Sequence, residues 1–379
     1  MSDQPVLPAY GRSSLAELMP SIAAHLGVRG FSDDPIGLPP SRRYVVCMVD
    51  GLGWHVLASA LRHAPCFADL FGDARRLTTG VPSTTSTSLS CLGTGLVPGR
   101  HGIVGYAFRE PASGRVLNAL TWENGPDPLV FQPRPTMFET LSDAGVATSS
   151  VSPARFEASG LTLASQRGAD FVPVLDEADL DARVALTVEA SRRGSSSVVY
   201  LYERMLDHTG HGQGCGSSAW LQTLGRIDGF VEKLLDALDP DTCLLVTGDH
   251  GMVDVPEASR VYFEDHPVLT SGVDLLAGEG RLRQLYTSRP TDVAARWADL
   301  LGERAWVTTR DEAIDAGWFG AVGDDVRERI GDVLVAMRGD GALMSRALER
   351  ELSLVGMHGS LTPAEMYVPL LAEFGRGDG

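Results

Sequence analysis

The sequence predicts an α/β fold with a mostly parallel sheet flanked by helices. Three short apolar runs, 44–49, 197–202 and 243–246, have the pattern of strands buried on both faces. Segments with helical periodicity lie between them, and the clearest spans 220–238, where apolar residues recur every three or four positions. Strands that alternate with helices are typical of a parallel sheet that is covered on both sides.

The composition fits a folded protein that does not bind nucleic-acid polymers. The chain has 379 residues, of which 44% are hydrophobic and 21% charged, so it can build a packed core. Its formal net charge of -17 argues against nucleic-acid binding, which needs a basic surface. Lys233 is the only lysine, and it is not in the Gly-Lys-Ser/Thr context that a Walker A loop requires.

We expect three parts along the chain. Residues 1–43 form a leading segment in which Ser14 and Glu17 have the spacing of a capping box before a short helix. Residues 44–256 and 346–379 form the main α/β core, and the apolar run 366–371 returns to its sheet. The intervening residues, 257–345, mix short strand-like pieces with acidic helical ones and are interpreted as an inserted, smaller α+β subdomain.

The sequence shows no targeting or membrane signal. The first ten residues lack a basic region followed by an apolar stretch, and no run of about 18 apolar residues occurs. The five cysteines show no Cys-x-x-Cys spacing and do not indicate a disulfide framework. We therefore expect a cytoplasmic protein without a membrane partner, while the oligomeric state stays open.

Carboxylate and imidazole side chains follow the three predicted strands at the points where they end. Ligands of open α/β sheets bind at the carboxyl ends of the strands, so these side chains are expected to meet there. A further histidine lies in a Gly-Met-His-Gly segment late in the chain. The six candidate metal ligands are Asp50, Asp207, His211, Asp249, His250 and His358.

Each candidate ligand also has a purely structural explanation. An aspartate that ends a strand before glycine is often a turn former, and Asp207 and His211 can pair on one helical turn. The combination is harder to explain in this way, because almost every member falls where this fold class places its ligand site. Carboxylate and imidazole together suit zinc and related divalent ions, and six ligands are enough for two metals.

A hydroxyl-rich stretch, 83–88, contains the candidate nucleophile. The following residues can start a helix, and a hydroxyl at a helix N-terminus lies among free N–H groups that favour an anion. A nearby metal would lower the pKa of such a hydroxyl. The spacing from Pro82 and from 93–95 favours Thr85, with Thr84 as the main competitor. A simple Ser/Thr-rich capping loop is the structural alternative.

The ordered motifs resemble those of the alkaline phosphatase superfamily, and within it the type I phosphodiesterase/nucleotide pyrophosphatase branch. The resemblance spans about residues 44 to 371. It implies an alkaline-phosphatase-like fold. The segments that carry it are Val49-Asp50-Gly51, Pro-Ser-Thr-Thr (82–85), Thr-Gly-Leu-Val-Pro-Gly-Arg-His-Gly-Ile (94–103), Asp-His-Thr-Gly-His (207–211), Gly-Asp-His-Gly-Met (248–252) and Met357-His358-Gly359.

The resemblance implies a two-zinc hydrolase of phosphoric esters with Thr85 as nucleophile. One zinc would be held by Asp207, His211 and His358, and the other by the remaining three candidate ligands. Manganese or iron stay open as alternatives. The expected partner is a small-molecule phosphate ester with a phosphodiester or nucleotide pyrophosphate bond.

The chain departs from the branch at two positions. An Asn that follows His-Gly-Ile in the branch is replaced here by Val104-Gly105-Tyr106, and the aromatic residue after the nucleophile is replaced by Ser86. Other functions therefore stay open: a phosphomonoesterase, a phosphonate hydrolase, a phosphomutase of the same superfamily, or a metal-binding protein without catalysis.

Overall fold

The computed structural model describes residues 4–377. Its strands are β1 (Arg43–Val49), β2 (Arg75–Thr78), β3 (Ala107–Arg109), β4 (Val116–Asn118), β5 (Ala147–Pro153), β6 (Asp170–Val174), β7 (Ser197–Glu203), β8 (Thr242–Thr247), β9 (Val253–Asp254), β10 (Arg260–Tyr262), β11 (Leu275–Glu279), β12 (Leu282–Tyr286), β13 (Ala305–Thr309), β14 (Val333–Met337), β15 (Ala342–Met344), β16 (Gly356–Met357) and β17 (Tyr367–Phe374).

Helices connect most of these strands. They are α1 (Leu18–His25), α2 (Trp54–Ala60), α3 (Pro65–Phe71), α4 (Thr85–Thr94), α5 (Pro98–His101), α6 (Pro128–Phe131), α7 (Met137–Asp143), α8 (Gly160–Ser165), α9 (Leu180–Ser191), α10 (Met205–Gln213), α11 (Ser218–Ala237), α12 (Pro267–Thr270), α13 (Pro290–Leu301), α14 (Arg310–Asp315), α15 (Asp324–Arg327), α16 (Glu349–Leu352) and α17 (Pro363–Met366).

A seven-stranded sheet forms the centre of the molecule, in the order β2-β17-β8-β1-β7-β5-β6. The strands from β8 to β6 are parallel, whereas β17 runs antiparallel between β2 and β8. The predicted mostly parallel α/β sheet is therefore confirmed. The three apolar runs of the sequence are β1, β7 and β8, which lie side by side, so their carboxyl ends meet at one edge.

Two apolar layers cover the sheet, one on each face. In β1, Val46 and Met48 pack into one layer, while Val45, Cys47 and Val49 pack into the other. Since successive strand residues point to opposite faces, a continuous apolar run is what a strand needs when both faces are covered. The second layer includes the long helix α11, whose stripe of apolar residues faces the sheet.

The helix starts agree with the sequence signals. Ser14 and Glu17 form the predicted capping box, which begins a short 3-10 turn that leads into α1, and Thr136 with Glu139 forms another before α7. Helix α1 packs into the first apolar layer, so the leading segment is part of the core. Within residues 4–377, no helix is both long and apolar enough to cross a lipid bilayer.

The residues predicted as an inserted subdomain contain a second sheet. It is antiparallel, in the order β11-β12-β14-β13, and has its own apolar cluster around Trp297. Other residues of this segment, such as Phe319 and Ile330, pack into the first layer of the main core. The three-part division of the chain at 43/44, 256/257 and 345/346 stays a prediction.

We expect Trp297→Ala to lower the free energy of unfolding by about 3–5 kcal/mol, because it would leave a large cavity in the cluster of the second sheet. Trp297 is fully buried and donates a hydrogen bond to the Leu269 carbonyl. Leu175→Ala, at a side chain that is 90% exposed, should change stability by less than about 0.5 kcal/mol. Urea unfolding of both variants measures the difference, and equal stabilities would contradict the packing described.

Candidate active site

The carboxyl ends of β1, β7 and β8 bring five of the six predicted ligands together. Asp50 directly follows β1, and the turn after β7 leads into α10, which carries Asp207 and His211. The pair Asp249-His250 follows β8. Hydrogen bonds from backbone N–H groups join these turns. The Asp207 N–H donates to the Asp50 carbonyl at 3.1 Å, and the Gly51 N–H donates to Asp249 Oδ1 at 3.0 Å.

The sixth predicted ligand, His358, reaches the same place from the end of β16. This strand pairs with β9, which follows the Asp249-His250 turn, so the two segments lie next to each other. The Ser83 N–H donates to the Gly359 carbonyl at 3.2 Å and thereby joins the nucleophile loop to His358. The structure therefore gathers all six predicted ligands in one site.

Each of the three histidines is fixed by a backbone carbonyl. The Nδ1 atoms of His211, His250 and His358 lie 2.7, 3.0 and 3.0 Å from the carbonyl oxygens of Gly356, Gly251 and Ser83, respectively. Since a carbonyl only accepts, each Nδ1 carries a proton, and each Nε2 is the ring nitrogen left to bind a metal. This is the arrangement of metal-binding histidines, in which the second ring nitrogen is held by a neighbouring acceptor.

The free Nε2 atoms face the aspartates. His250 Nε2 lies 3.3 Å from Asp50 Oδ1 and 3.6 Å from Asp249 Oδ2, while His211 Nε2 lies 3.4 Å and His358 Nε2 3.8 Å from Asp207 Oδ1. Two groups have all their ligand atoms within 4.8 Å of one another. They are Asp50 with Asp249 and His250, and Asp207 with His250 and His358.

Two carboxylate oxygens of this cluster are buried without a hydrogen-bond partner among the described residues. They are Asp207 Oδ1 and Asp249 Oδ2, each of which faces a histidine Nε2. An unpaired buried carboxylate is strongly unfavourable unless a cation compensates it. Converging oxygen and nitrogen donors of this kind fit two divalent metal ions, and the ligand types suit zinc as well as manganese or iron.

The pKa values reflect the crowded negative charge. Burial and the neighbouring Asp50 carboxylate raise the pKa of Asp249 to about 7, and the same two causes hold the pKa of Asp207 well above its usual range. Burial alone would lower the pKa of His250, but the charges of Asp249 and Asp50 outweigh it and raise the pKa to about 10. The carboxylates thus favour positive charge on their neighbours, which a bound metal ion would also supply.

The Thr85 hydroxyl lies beside one of the two ligand groups. Thr85 is the first residue of α4, and its Oγ1 is 3.2 Å from His250 Nε2 and 3.5 Å from Asp50 Oδ1. Thr84 is the N-cap residue, and its side chain makes no capping hydrogen bond. Of the two candidates, Thr85 is the one that contacts the predicted ligands, at a helix start whose N–H groups favour an anion.

Sequence reasoning missed two side chains of this site. The Tyr202 hydroxyl donates a hydrogen bond to Asp50 Oδ2, which leaves Asp50 Oδ1 facing His250 and Thr85. A tyrosine at the end of an apolar run was the available signal. Glu279, at the end of β11 in the second sheet, lies 3.9 Å from His358 Nδ1, and no pattern in the sequence pointed to it.

A cavity of about 380 Å³ opens above the cluster. Its lining includes Thr85 and the predicted ligands Asp50, Asp207, His211 and His358. Its lining combines apolar and aromatic side chains with Glu279 and residues of the segment around α16. The wall residues include Leu89, Tyr106, Leu120, Phe156, Leu161, Tyr202, Glu279, Glu351, Leu354 and Met357.

A model of the type I phosphodiesterase/nucleotide pyrophosphatase family matches residues 44–361. The chain belongs to this family. It is therefore a phosphodiesterase-type hydrolase of the alkaline phosphatase superfamily, as the motifs predicted, and the family is metal-dependent. The family match does not assign the individual site residues, the identity of the metal or the location in the cell, so these stay predictions.

Solved structures of the same fold are similar over most of the chain. Murine ectonucleotide pyrophosphatase/phosphodiesterase 5 superimposes with a TM-score of 0.70 and 18% identity, covering 88% of both chains. An inactive variant of the murine protein in complex with AMP gives 0.69 and 17%, covering 89% of this chain and 88% of that one. The human protein gives 0.67 and 18%, with 88% of both chains covered. These likenesses confirm the fold.

A short segment also matches a curated protein. It is 43% identical over 47 residues to GPI ethanolamine phosphate transferase 3 of Eremothecium gossypii. The match covers 12% of this chain and 5% of that protein.

We expect Asp249→Asn and His358→Ala each to reduce bound zinc below two ions per chain, because each removes a donor from a different ligand group. His208→Ala is the control, since His208 is exposed on the same helix as the predicted ligand His211. Metal analysis after dialysis against buffered zinc measures the ratio. A ratio of two in either ligand variant would remove that residue from the ligand set.

Proposed function

We propose that the chain hydrolyses phosphodiester or nucleotide pyrophosphate bonds with two metal ions and a phosphothreonine intermediate at Thr85. The observation that supports it best is the position of the Thr85 hydroxyl, at the start of α4 and within 3.5 Å of both His250 and Asp50. The small-molecule phosphate ester would enter through the cavity above this cluster.

The proposed ligand sets are those that the resemblance implies. Asp50, Asp249 and His250 would hold one ion beside Thr85, and Asp207, His211 and His358 would hold the other. We propose zinc for both, with manganese or iron as the alternatives. When bound, such ions lower the pKa of the attacking group and offset negative charge on the phosphoryl and leaving oxygens.

The residues of the chain then act in two displacements. Thr85 Oγ1, after losing its proton to solvent, attacks phosphorus, so an Oγ–P bond forms while the bond from phosphorus to the leaving oxygen breaks. Water next attacks the phosphothreonine and breaks the Oγ–P bond, which restores the hydroxyl. Tyr202 keeps Asp50 oriented through its hydrogen bond, and the first N–H groups of α4 face the anionic phosphoryl oxygens.

Residues 104–106 stand where other members of the branch have an Asn, and this segment is held in place from two sides. The Ser86 hydroxyl donates to the Gly105 carbonyl at 2.9 Å, and Gln284 Nε2 donates to the Val104 carbonyl at 2.6 Å. Tyr106 is the residue of this loop that lines the cavity. We propose that its hydroxyl takes over the donor role of that Asn toward a phosphoryl oxygen.

We expect the zinc-loaded protein to hydrolyse bis-p-nitrophenyl phosphate faster than p-nitrophenyl phosphate. Thr85→Ala should lower this turnover by about 1000-fold or more, since it removes the nucleophile, and should leave the zinc content unchanged. Thr84→Ala is the matched control and should stay active.

Each other outcome points to a different function. Preference for the monoester would favour a phosphomonoesterase. Full activity of Thr85→Ala, or inactivity of Thr84→Ala alone, would exclude Thr85 as the nucleophile. Absence of turnover on both esters in the zinc-loaded protein would favour the phosphonate, phosphomutase or non-catalytic alternatives.

A further inference from the structure

A buried ion pair lies at the junction between β7 and α10, the helix that carries Asp207 and His211. Glu203, the last residue of β7, is 4% exposed, and Arg183 of α9 is 3% exposed. Arg183 Nη1 donates to Glu203 Oε2 at 2.5 Å. A buried ion pair often stabilises a fold no more than apolar side chains of similar volume would. Its place beside the candidate active site points to a role in geometry.

The other carboxylate oxygen of Glu203 caps α10. Glu203 Oε1 accepts the Met205 N–H at 2.8 Å, and Met205 is the first residue of the helix. Arg204, the N-cap residue, makes no capping hydrogen bond with its side chain. The first N–H groups of a helix have no partner within it, and a carboxylate there also interacts favourably with the helix dipole. Glu203 thus holds the first turn of α10 against the end of β7.

Arg183 fixes the Glu203 carboxylate in turn. Its guanidinium also donates to the carbonyls of Tyr202 at 3.1 Å and Glu177 at 3.3 Å, and it lies 4.5 Å from the centre of the Phe230 ring on α11. The donors of an arginine project in fixed directions, so contacts with several elements leave the guanidinium little freedom. The Glu203 carboxylate is therefore held by a side chain that is itself anchored to β7 and α11.

The predicted metal ligands are connected to Glu203 by two routes. Its backbone carbonyl accepts the Asp50 N–H at 2.8 Å, and a substitution of the side chain leaves this bond in place. Its side chain instead acts on α10, which carries Asp207 and His211. The side chain of Glu203 is thus connected mainly to the ligand group that these two residues form with His358.

We propose that Arg183 and Glu203 are a positioning pair for the metal ion that Asp207, His211 and His358 would hold. This inference rests on the proposed function and deepens it, because it concerns the ligand geometry of one of the two metal sites. The pair acts through α10 and not by contact with the metal. Removal of a group that orients metal ligands typically lowers metal affinity by about 10- to 100-fold.

The test measures the two zinc dissociation constants in competition with a chromophoric chelator. Glu203→Ala should weaken the binding of one zinc ion by about tenfold or more and leave the other within about threefold of the wild type.

Asp228→Ala is the matched control. Asp228 is also a buried carboxylate that caps a helix, since it accepts the N–H groups of Cys66 and Phe67 at 3.2 and 2.7 Å, at the start of α3. Helix α3 carries none of the predicted ligands. The control variant should lose stability in urea, as Glu203→Ala does, but bind both zinc ions as the wild type does.

Two variants with a single remaining zinc ion assign the affected site. In Asp249→Asn, where the ion bound at α10 would remain, the addition of Glu203→Ala should weaken its binding by about tenfold or more. In His211→Ala, where the ion beside Thr85 would remain, the same addition should change its dissociation constant by less than about threefold. This contrast separates an effect on α10 from a general loss of structure.

A double variant separates positioning from stability. Arg183→Met combined with Glu203→Met replaces the ion pair by apolar side chains, so no buried charge is left without its partner. It should unfold at a higher urea concentration than Glu203→Ala. It should still bind the zinc ion at α10 about tenfold or more weakly than the wild type does, because the Met205 N–H has lost its acceptor.

The inference is wrong if Glu203→Ala binds both zinc ions as the wild type does, or weakens both equally. It is also wrong if Asp228→Ala shows the same loss at one ion, or if the double variant binds zinc as tightly as the wild type. A wild-type protein that binds fewer than two zinc ions would overturn the proposed two-metal function, and this inference with it.

Discussion

The structure depends on one electrostatic constraint: three aspartates, Asp50, Asp207 and Asp249, converge in a largely buried space. Carboxylates at this spacing repel one another, and burial removes the water that would otherwise screen them. The raised pKa values of Asp207 and Asp249 express the same conflict. Such a cluster is more stable when cations neutralise it, and the three histidines add the nitrogen donors that we propose for two metal ions.

The fold creates this convergence through parallel strands. Adjacent strands β7, β1 and β8 all end at the same edge, and each end is followed at once, or within one turn of helix, by an aspartate. Tight glycine turns allow the chain segments to approach. At Gly251, for example, a Cβ atom would lie 1.9 Å from the Ala364 carbonyl oxygen, so no side chain fits there.

The second sheet acts on the site through its β11–β12 hairpin. Arg281 and Glu365 form a fully buried ion pair, and Glu365 Oε1 also accepts the Ser360 N–H at 3.0 Å. This pair connects the hairpin to the segment that carries His358. The same hairpin places Glu279 in the cavity wall, so a segment that carries none of the motifs also lines the site.

The parts of the site that could be predicted from the sequence are those that depend on a local pattern of residues. Asp50, Asp207 and Asp249 could be placed because apolar runs mark strands and parallel strands end together. His358 was recognised from its glycine-flanked segment, although the pairing of β16 with β9 that positions it is a long-range contact. Tyr202, Glu279 and the Arg281–Glu365 pair depend on which distant segments pack together, and no short-range pattern encodes that.

Anomalous diffraction from zinc-loaded crystals, recorded on both sides of the zinc absorption edge, would locate the bound metal ions themselves. We expect two zinc peaks, one among Asp50, Asp249 and His250 and one among Asp207, His211 and His358, with Thr85 Oγ1 next to the first. A single peak, or zinc bound outside these six side chains, would contradict the proposed two-metal site.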